Sequence, residues 1–221
     1  MALVILSGGQ DSTTCLYWAR DIFGEISAVT FDYGQRHRIE IESAKKIAFM
    51  AGVKKHFIQD AKFINDLSPS ALTRDIEIKT GKGLPNTFVP GRNLFFISMA
   101  AVIAKNLGYD DLVTGVCQTD YSGYPDCRKD FIISIEKTIR CAMDWPGLDI
   151  WTPLMRRSKA EAIDLAQRFP GCMEALAYSH TCYEGKYPPC GKCPACLIRA
   201  KGFEEARIAD PLIERYNKEA K

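Results

Sequence analysis

The chain has 221 residues, of which 47% are hydrophobic and 25% charged, and its formal net charge is +2. That composition suits one large domain, or a domain with a small appendage, built around a real core. It excludes the strong positive balance of a nucleic-acid binder and the roughly 20-residue apolar run of a membrane span.

The stretch "LVILSGGQDSTTCLYWA" opens the chain. Ala2–Leu6 is short, apolar and unalternating, the pattern of a strand buried on both faces of a parallel sheet. Apolar residues then recur with helical spacing from Cys15 to Phe23, with Asp11 and Ser12 in the N-cap region. Strand, tight glycine loop and helix N-terminus together aim backbone N–H groups and a helix dipole at one point, which suits an anion such as phosphate.

"EISAVTFDYG" predicts a second strand, and Ile41 to Ala51 a helix stopped by Gly52. "KKHFI" predicts a third strand. Residues 68–92 carry three prolines and little regular pattern, which marks a functional or mobile loop. A strongly apolar helix spans Asn93–Gly108, "DDLVTG" gives a short buried strand, and "VCQTDYSGYPDCRKD" a polar, aromatic loop. A helix over about 130–144 and a strand near Leu148–Trp151 follow. Ser158 with Glu161 forms a capping box, so a helix starts near Lys159. The alternation predicts an α/β fold, an open and mostly parallel sheet with flanking helices. Ser7–Ser12, Asp32–His37 and Gly115–Asp126 all fall at carboxyl ends of strands and should converge on one ligand face.

Nine cysteines are many for the cytoplasm, the compartment expected because no signal-peptide pattern precedes Ser7. Four of them, Cys182, Cys190, Cys193 and Cys196, cluster as a C-x-x-C-x-x-C run with one partner eight residues upstream. Four thiolates make a closed, structural zinc site with no position left for water. An iron–sulfur or redox role is the alternative chemistry. The expected layout is an α/β domain over 1–175 that carries the anion-binding loop and a cysteine-bearing segment over 176–221 packed on it.

Three segments are dense in functional side chains. "FDYGQRHR" offers Asp32, Tyr33, Gln35, Arg36 and His37, and "GLPNTFVPGRN" offers Asn86, Arg92 and Asn93. The 115–128 loop adds Asp120, Tyr121, Ser122, Tyr124 and Asp126. A flat heterocycle could stack on a tyrosine while an aspartate accepts paired hydrogen bonds from its N–H edge.

The opening loop is neither a Walker A sequence nor a dinucleotide fingerprint. It resembles the S-G-G-x-D-S motif of the N-type ATP pyrophosphatase (PP-loop) family, which cleaves ATP between its α and β phosphates to form adenylates. SGGQDSTTC, TFDYGQRH, LPNTFVPGRN, TGVCQTDYSGYPDCR, TPLM…KAE and TCY…CGKCPAC occur in order from residue 5 to about 200. Together they resemble the 7-cyano-7-deazaguanine synthases of queuosine biosynthesis.

The resemblance implies an adenine nucleotide alpha hydrolase-like fold. It also implies ATP-dependent conversion of 7-carboxy-7-deazaguanine and ammonia to the nitrile through an adenylate and an amide. ATP would contact Leu6, Ser7, Gly8, Gly9, Gln10, Asp11, Ser12, Thr13, Thr14, Cys15 and Leu16. Asp11, Arg92 and Lys159 would be catalytic, Arg92 and Lys159 by stabilising phosphate charge. The residues Asp32, Tyr33, Gln35, Arg36, His37, Asp120, Tyr121, Ser122, Tyr124 and Asp126 would bind the base. One structural zinc, Mg²⁺ on the triphosphate and a homodimer complete the expectation, with no nucleic-acid or membrane partner. A PP-loop tRNA thiolase and a zinc-ribbon binding module are the rival readings. Both want a basic surface that a net charge of +2 does not supply.

Overall fold

The computed structural model describes residues 1–35, 38–74, 76–78, 83–119 and 124–220. Strands β1 (Ala2–Ile5), β2 (Ile26–Asp32), β3 (His56–Asp60), β4 (Asp111–Val113) and β5 (Asp149–Trp151) form one sheet in the order β3-β2-β1-β4-β5. All four pairings are parallel. The fold class is therefore the open parallel α/β sheet that the sequence predicts.

Helices cover both faces. On one side lie α1 (Gln10–Phe23), α2 (Ile39–Ala51), α6 (Lys159–Ala166) and α7 (Cys172–Leu176). On the other lie α3 (Phe63–Leu67), α4 (Arg92–Leu107) and α5 (Lys129–Ala142). β1 supplies both cores: Ala2 and Val4 join the layer of Leu16, Ile47 and Leu165, while Leu3 joins that of Ile64, Ile97 and Ile135. This two-sided burial is why the strand reads as an unbroken apolar run. Truncating a fully buried residue such as Leu16 to alanine would cost about 2–5 kcal/mol.

Two further helices, α8 (Pro194–Glu205) and α9 (Pro211–Glu219), form the C-terminal part. α8 lies on α6 so closely that a Cβ on Gly202 would stand 2.6 Å from that of Lys159. Arg199 is buried and forks onto Asp210 at 2.6 and 2.8 Å, with another nitrogen donating to Ser179 Oγ at 2.8 Å. The adjoining His180 N–H donates to Gly8 O at 2.9 Å, so the segment after residue 175 is tied directly to the opening loop.

Two local expectations need correction, and two short helices had no expectation at all. α1 begins at Gln10 with Gly9 as N-cap, and no side chain caps it. Ser12 cannot serve, because its hydroxyl instead donates to Gly9 O and accepts from Ser7 N. β3 starts at His56 rather than at Lys54. The short helices α3 and α7 carry five residues each, too few for a periodic signal. The capping box at Ser158 and Glu161 is present as expected.

Candidate active site

β1 and β4 are neighbours, yet their outer partners run to opposite edges of the sheet, so the strand order reverses between them. Ligands of open α/β sheets bind at the carboxyl ends of strands beside such a reversal. A cleft of about 300 Å³ opens there. Leu6, Ser7, Gly9, Gln10, Asp11 and Ser12 form one wall, and Thr114, Gly115 and Val116 after β4 form another.

The opening loop is held in shape before any ligand arrives. Ser7 Oγ and Ser12 Oγ are 3.0 Å apart, and Gly9 N donates to Ser7 Oγ at 3.3 Å. Gly8 adopts φ +86°, and a Cβ on it would lie 2.2 Å from the backbone oxygen of Glu40 on α2. Only glycine fits, in both conformation and space. A Cβ on Gly115 would similarly stand 3.0 Å from Ser12 N. Because α1 has no side-chain cap, its first N–H groups remain available to an anion in the cleft.

Lys159, the first residue of α6, reaches across to Asp11, with Nζ 2.5 Å from Oδ2. The other oxygen, Asp11 Oδ1, is buried without a hydrogen-bond partner, as is Gln10 Nε2 beside it. Orphaned polar atoms at a cleft are what a ligand or ion would complete. They fit a phosphate-bearing ligand with its cation, toward which the amide nitrogen would donate to an oxygen and the carboxylate oxygen would face the cation.

Deeper in, the cleft turns aromatic. Phe31 and Phe96 stack at 4.4 Å, and Tyr33 meets Phe96 edge-on at 5.5 Å. Tyr124, held by a 2.7 Å hydrogen bond to Thr87, and Tyr183 close the other side. Arg92 opens α4 and lies 6.0 Å from the Tyr33 ring centre. Burial opposes its charge, but Tyr33, Asp126 and Cys127 outweigh that and hold the guanidinium firmly protonated. Burial pushes the Tyr33 phenol up to about 12, partly offset by Arg92.

Glu40, which the sequence reading did not single out, also lines this cleft from the first turn of α2. Burial raises its carboxyl to about 7, with Arg92 opposing the shift. It has no hydrogen bond or ion pair among the described residues. A glutamate in the first helical turn is commonplace, so the sequence held no signal that it faces inward.

Several predicted site residues point elsewhere. Thr13 and Thr14 hydroxyls donate to Gly9 O and Gln10 O, while Cys15 and Leu16 pack in the core. Asp32 faces the rim, paired with Arg38 at 3.4 Å and Lys62 at 3.7 Å. Gln35 lines the cleft but spends its amide on Tyr33 N and Phe31 O. Asp126 differs most from expectation: its Oδ2 accepts from Asn93 N at 3.2 Å, fastening the start of α4 behind Arg92. Arg36, His37, Asp120, Tyr121 and Ser122 lie outside the described residues.

The thiols of Cys182, Cys190, Cys193 and Cys196 all lie within 4.8 Å of one another. Cys190 and Cys196 Sγ are 3.8 Å apart, the edge of a tetrahedron with metal–sulfur bonds of about 2.3 Å. Backbone N–H groups of Tyr183, Cys190 and Cys193 donate to the sulfurs at 3.4 Å. The donor set and spacing fit zinc. Ala195 and Ile198 of α8 and Tyr183 beside Cys182 line the cleft, so the cluster braces one of its walls.

Residues 1–207 match the family described as "Queuosine biosynthesis protein QueC". The chain is 53% identical to a 7-cyano-7-deazaguanine synthase from Chromobacterium violaceum over 99% of its own length and 95% of that protein's. It is 50% identical to the enzyme of that name from Bacillus subtilis, covering 94% and 95% respectively. Among solved structures, an ATP-bound 4-thiouridine synthetase in complex with RNA is 19% identical, with a TM-score of 0.51 over 99% of this chain and 52% of the other. That likeness extends to the fold alone.

Proposed function

The chain belongs to the QueC family of queuosine biosynthesis, and on that premise we propose how its cleft serves 7-cyano-7-deazaguanine synthase activity, an ATP-dependent ligase reaction. The substrate is the carboxylated deazaguanine. A carboxylate is a poor electrophile, because its charge repels nucleophiles and oxide is not a viable leaving group. Attack of its oxygen on the α-phosphorus of ATP expels pyrophosphate and gives an acyl adenylate. Free ammonia displaces AMP to give the amide. Attack of the amide oxygen on a second ATP, followed by loss of AMP, leaves the nitrile.

The leaving pyrophosphate settles against Ser7, Gly9 and Ser12 and the open N–H groups of α1. Lys159 and Arg92 approach the phosphates from opposite walls and offset the charge that grows on them in the transition state. Asp11 positions Lys159 through one oxygen and offers the other to Mg²⁺, which when bound screens the triphosphate and polarises its phosphorus centres. The aromatic end of the cleft, with Tyr33, Phe96, Tyr124 and Tyr183, takes the planar base.

The four cysteines would hold one zinc per chain, which would pin the start of α8 to the 182–190 segment in a structural role. The C-terminal segment therefore acts as a brace on the nucleotide-binding part rather than as a separate catalytic unit. Among the described residues no helix is long and apolar enough to cross a membrane.

The observation that carries this reading is the 53% identity over nearly the whole chain, joined to a cleft-lining loop whose Asp11 pairs with Lys159. Mass spectrometry of products from carboxydeazaguanine, ATP and ammonium tests it. Nitrile, AMP and pyrophosphate are expected. A thiolated product, or no turnover of this substrate, would overturn it.

A further inference from the structure

The path from ammonia to nitrile strips nitrogen of every proton. Amide formation removes one, activation of the amide oxygen a second, and elimination of AMP a third. Each loss needs an acceptor beside the reacting carbon, and ammonia, mostly ammonium at neutral pH, needs one more before it can attack. Among the described residues few side chains of the cleft can serve. Lys159 and Arg92 are cations, and Asp11 is committed to Lys159 at 2.5 Å. Tyr33 and Tyr183 are phenols whose acidity burial suppresses.

We propose that Glu40 is the proton acceptor for the reacting nitrogen, a reading that rests on the reaction path above. Its place supports this on two counts. Its backbone oxygen lies against Gly8, so the residue is fixed to the phosphate loop itself, while its side chain lines the same cleft as Arg92. Its carboxylate also has no hydrogen bond or ion pair among the described residues, which leaves the oxygens open to an N–H of substrate. A half-buried acid that lines a cleft without a partner among the described residues is an arrangement that structure alone does not require. Among the described residues the charged and titratable groups that line the cleft with it are Tyr33, Arg92, Cys117, Tyr124, Cys127, Tyr183 and Arg199, with the Asp11–Lys159 pair. Burial holds the Glu40 carboxyl near 7, where it both takes and returns protons at neutral pH.

The steps balance. In the first, a C–N bond forms between ammonia and the adenylate carbonyl, the nitrogen proton passes to Glu40, and AMP leaves with the C–O electron pair. In the second, the amide oxygen bonds to α-phosphorus, pyrophosphate leaves, and an N–H proton passes to Glu40. In the third, the last N–H proton follows as the C–O bond to AMP breaks and the triple bond forms. Between steps the carboxyl releases its proton to water.

Glu40→Gln keeps the shape and removes the acceptor. With carboxydeazaguanine and no nitrogen donor, pyrophosphate exchange into ATP reports adenylate formation alone. The variant should retain exchange and the KM for carboxydeazaguanine within about threefold, while nitrile formation falls on the order of 10²–10⁴-fold. Hydroxylamine, a weaker base that is largely unprotonated at neutral pH, should trap the variant's adenylate at nearly the wild-type rate. Amide formation within tenfold of wild type would overturn the proposal, as would equal loss of exchange and amination. Should the variant not fold, the wild-type enzyme decides: at constant free ammonia, its amination rate should rise through a single limb near pH 7. A flat profile from pH 6 to 8 strikes the proposal alone, whereas a wild-type enzyme inert toward carboxydeazaguanine sinks the reaction path with it.

Discussion

Lys159 Nζ and Asp11 Oδ2 stand 2.5 Å apart although the two residues are 148 positions apart in the chain. The contact joins the N-termini of α1 and α6, two helix ends whose positive poles face the same cleft. The pair is only partly exposed, at 16% and 24%, so its cation and carboxylate stay close without being walled off from substrate.

Replacing Lys159 by alanine should lower substrate-dependent pyrophosphate exchange by at least about 100-fold, the scale on which a single charge-stabilising donor acts. It also leaves the partly buried Asp11 carboxylate without its cation, which should cost roughly 1–3 kcal/mol of stability. Exchange kinetics and denaturant unfolding of the one variant read the two effects separately.

Gly8→Ala should be more damaging than its size suggests. At φ +86°, and with a Cβ 2.2 Å from a backbone oxygen of α2, the loop cannot keep its present approach. Strain of this kind costs about 1–3 kcal/mol, and the clash adds to it. Calorimetry should show a lowered Tm together with lost ATP binding. Unchanged ATP affinity would mean that the loop does not hold the phosphates.

Asp126→Ala separates two readings. The hydrogen bond to Asn93 N places its carboxylate at the start of α4, so the variant should lose about 0.5–2 kcal/mol, the range for an N-terminal cap. Its KM for carboxydeazaguanine should rise by less than about tenfold, because the side chain does not line the cleft. A loss confined to substrate affinity, at unchanged Tm, would restore the sequence-based view of Asp126 as the reader of the base.

Cys193→Ser should release zinc in metal analysis and lower the melting temperature. It should also raise the KM for ATP, because α8 meets α6 beside Lys159 through Gly202. Full zinc content with normal stability would refute the structural role.

The raised carboxyl of Glu40 has a consequence for the substrate-free protein. Its folded value is about 7, against 4.5 for the group in water, so between these values the folded state holds more protons than the unfolded state. Stability from this group is complete below pH 4.5 and is lost as pH rises through 7. The loss should be on the order of 1–3 kcal/mol, since water in the cleft moderates the burial. Urea unfolding across this range should show the decline in wild type and a flatter curve in Glu40→Gln.

The parallel sheet, the opening glycine loop and the cysteine cluster were legible in the sequence because each has a local signature. An unbroken apolar strand, two glycines before a helix, and thiols three residues apart are examples. The Ser158–Glu161 capping box belongs with them. What the sequence hid depends on distant contacts. Asp126 and Glu40 are both acids beside candidate loops, and only tertiary packing turns one onto the α4 backbone and the other into the cleft. Likewise, Asp11 and Ser12 suit an N-cap by type, yet Gly9 takes that position because the hydroxyl of Ser12 folds back onto the loop.

The central claim is that one cleft activates a carboxylate and then its amide with the same chemistry. Supplying the synthetic amide of carboxydeazaguanine with ATP and Mg²⁺, in the absence of ammonium, tests this most directly. The account predicts conversion to the nitrile with one AMP and one pyrophosphate released per turnover. An amide that binds but yields no nitrile would contradict it.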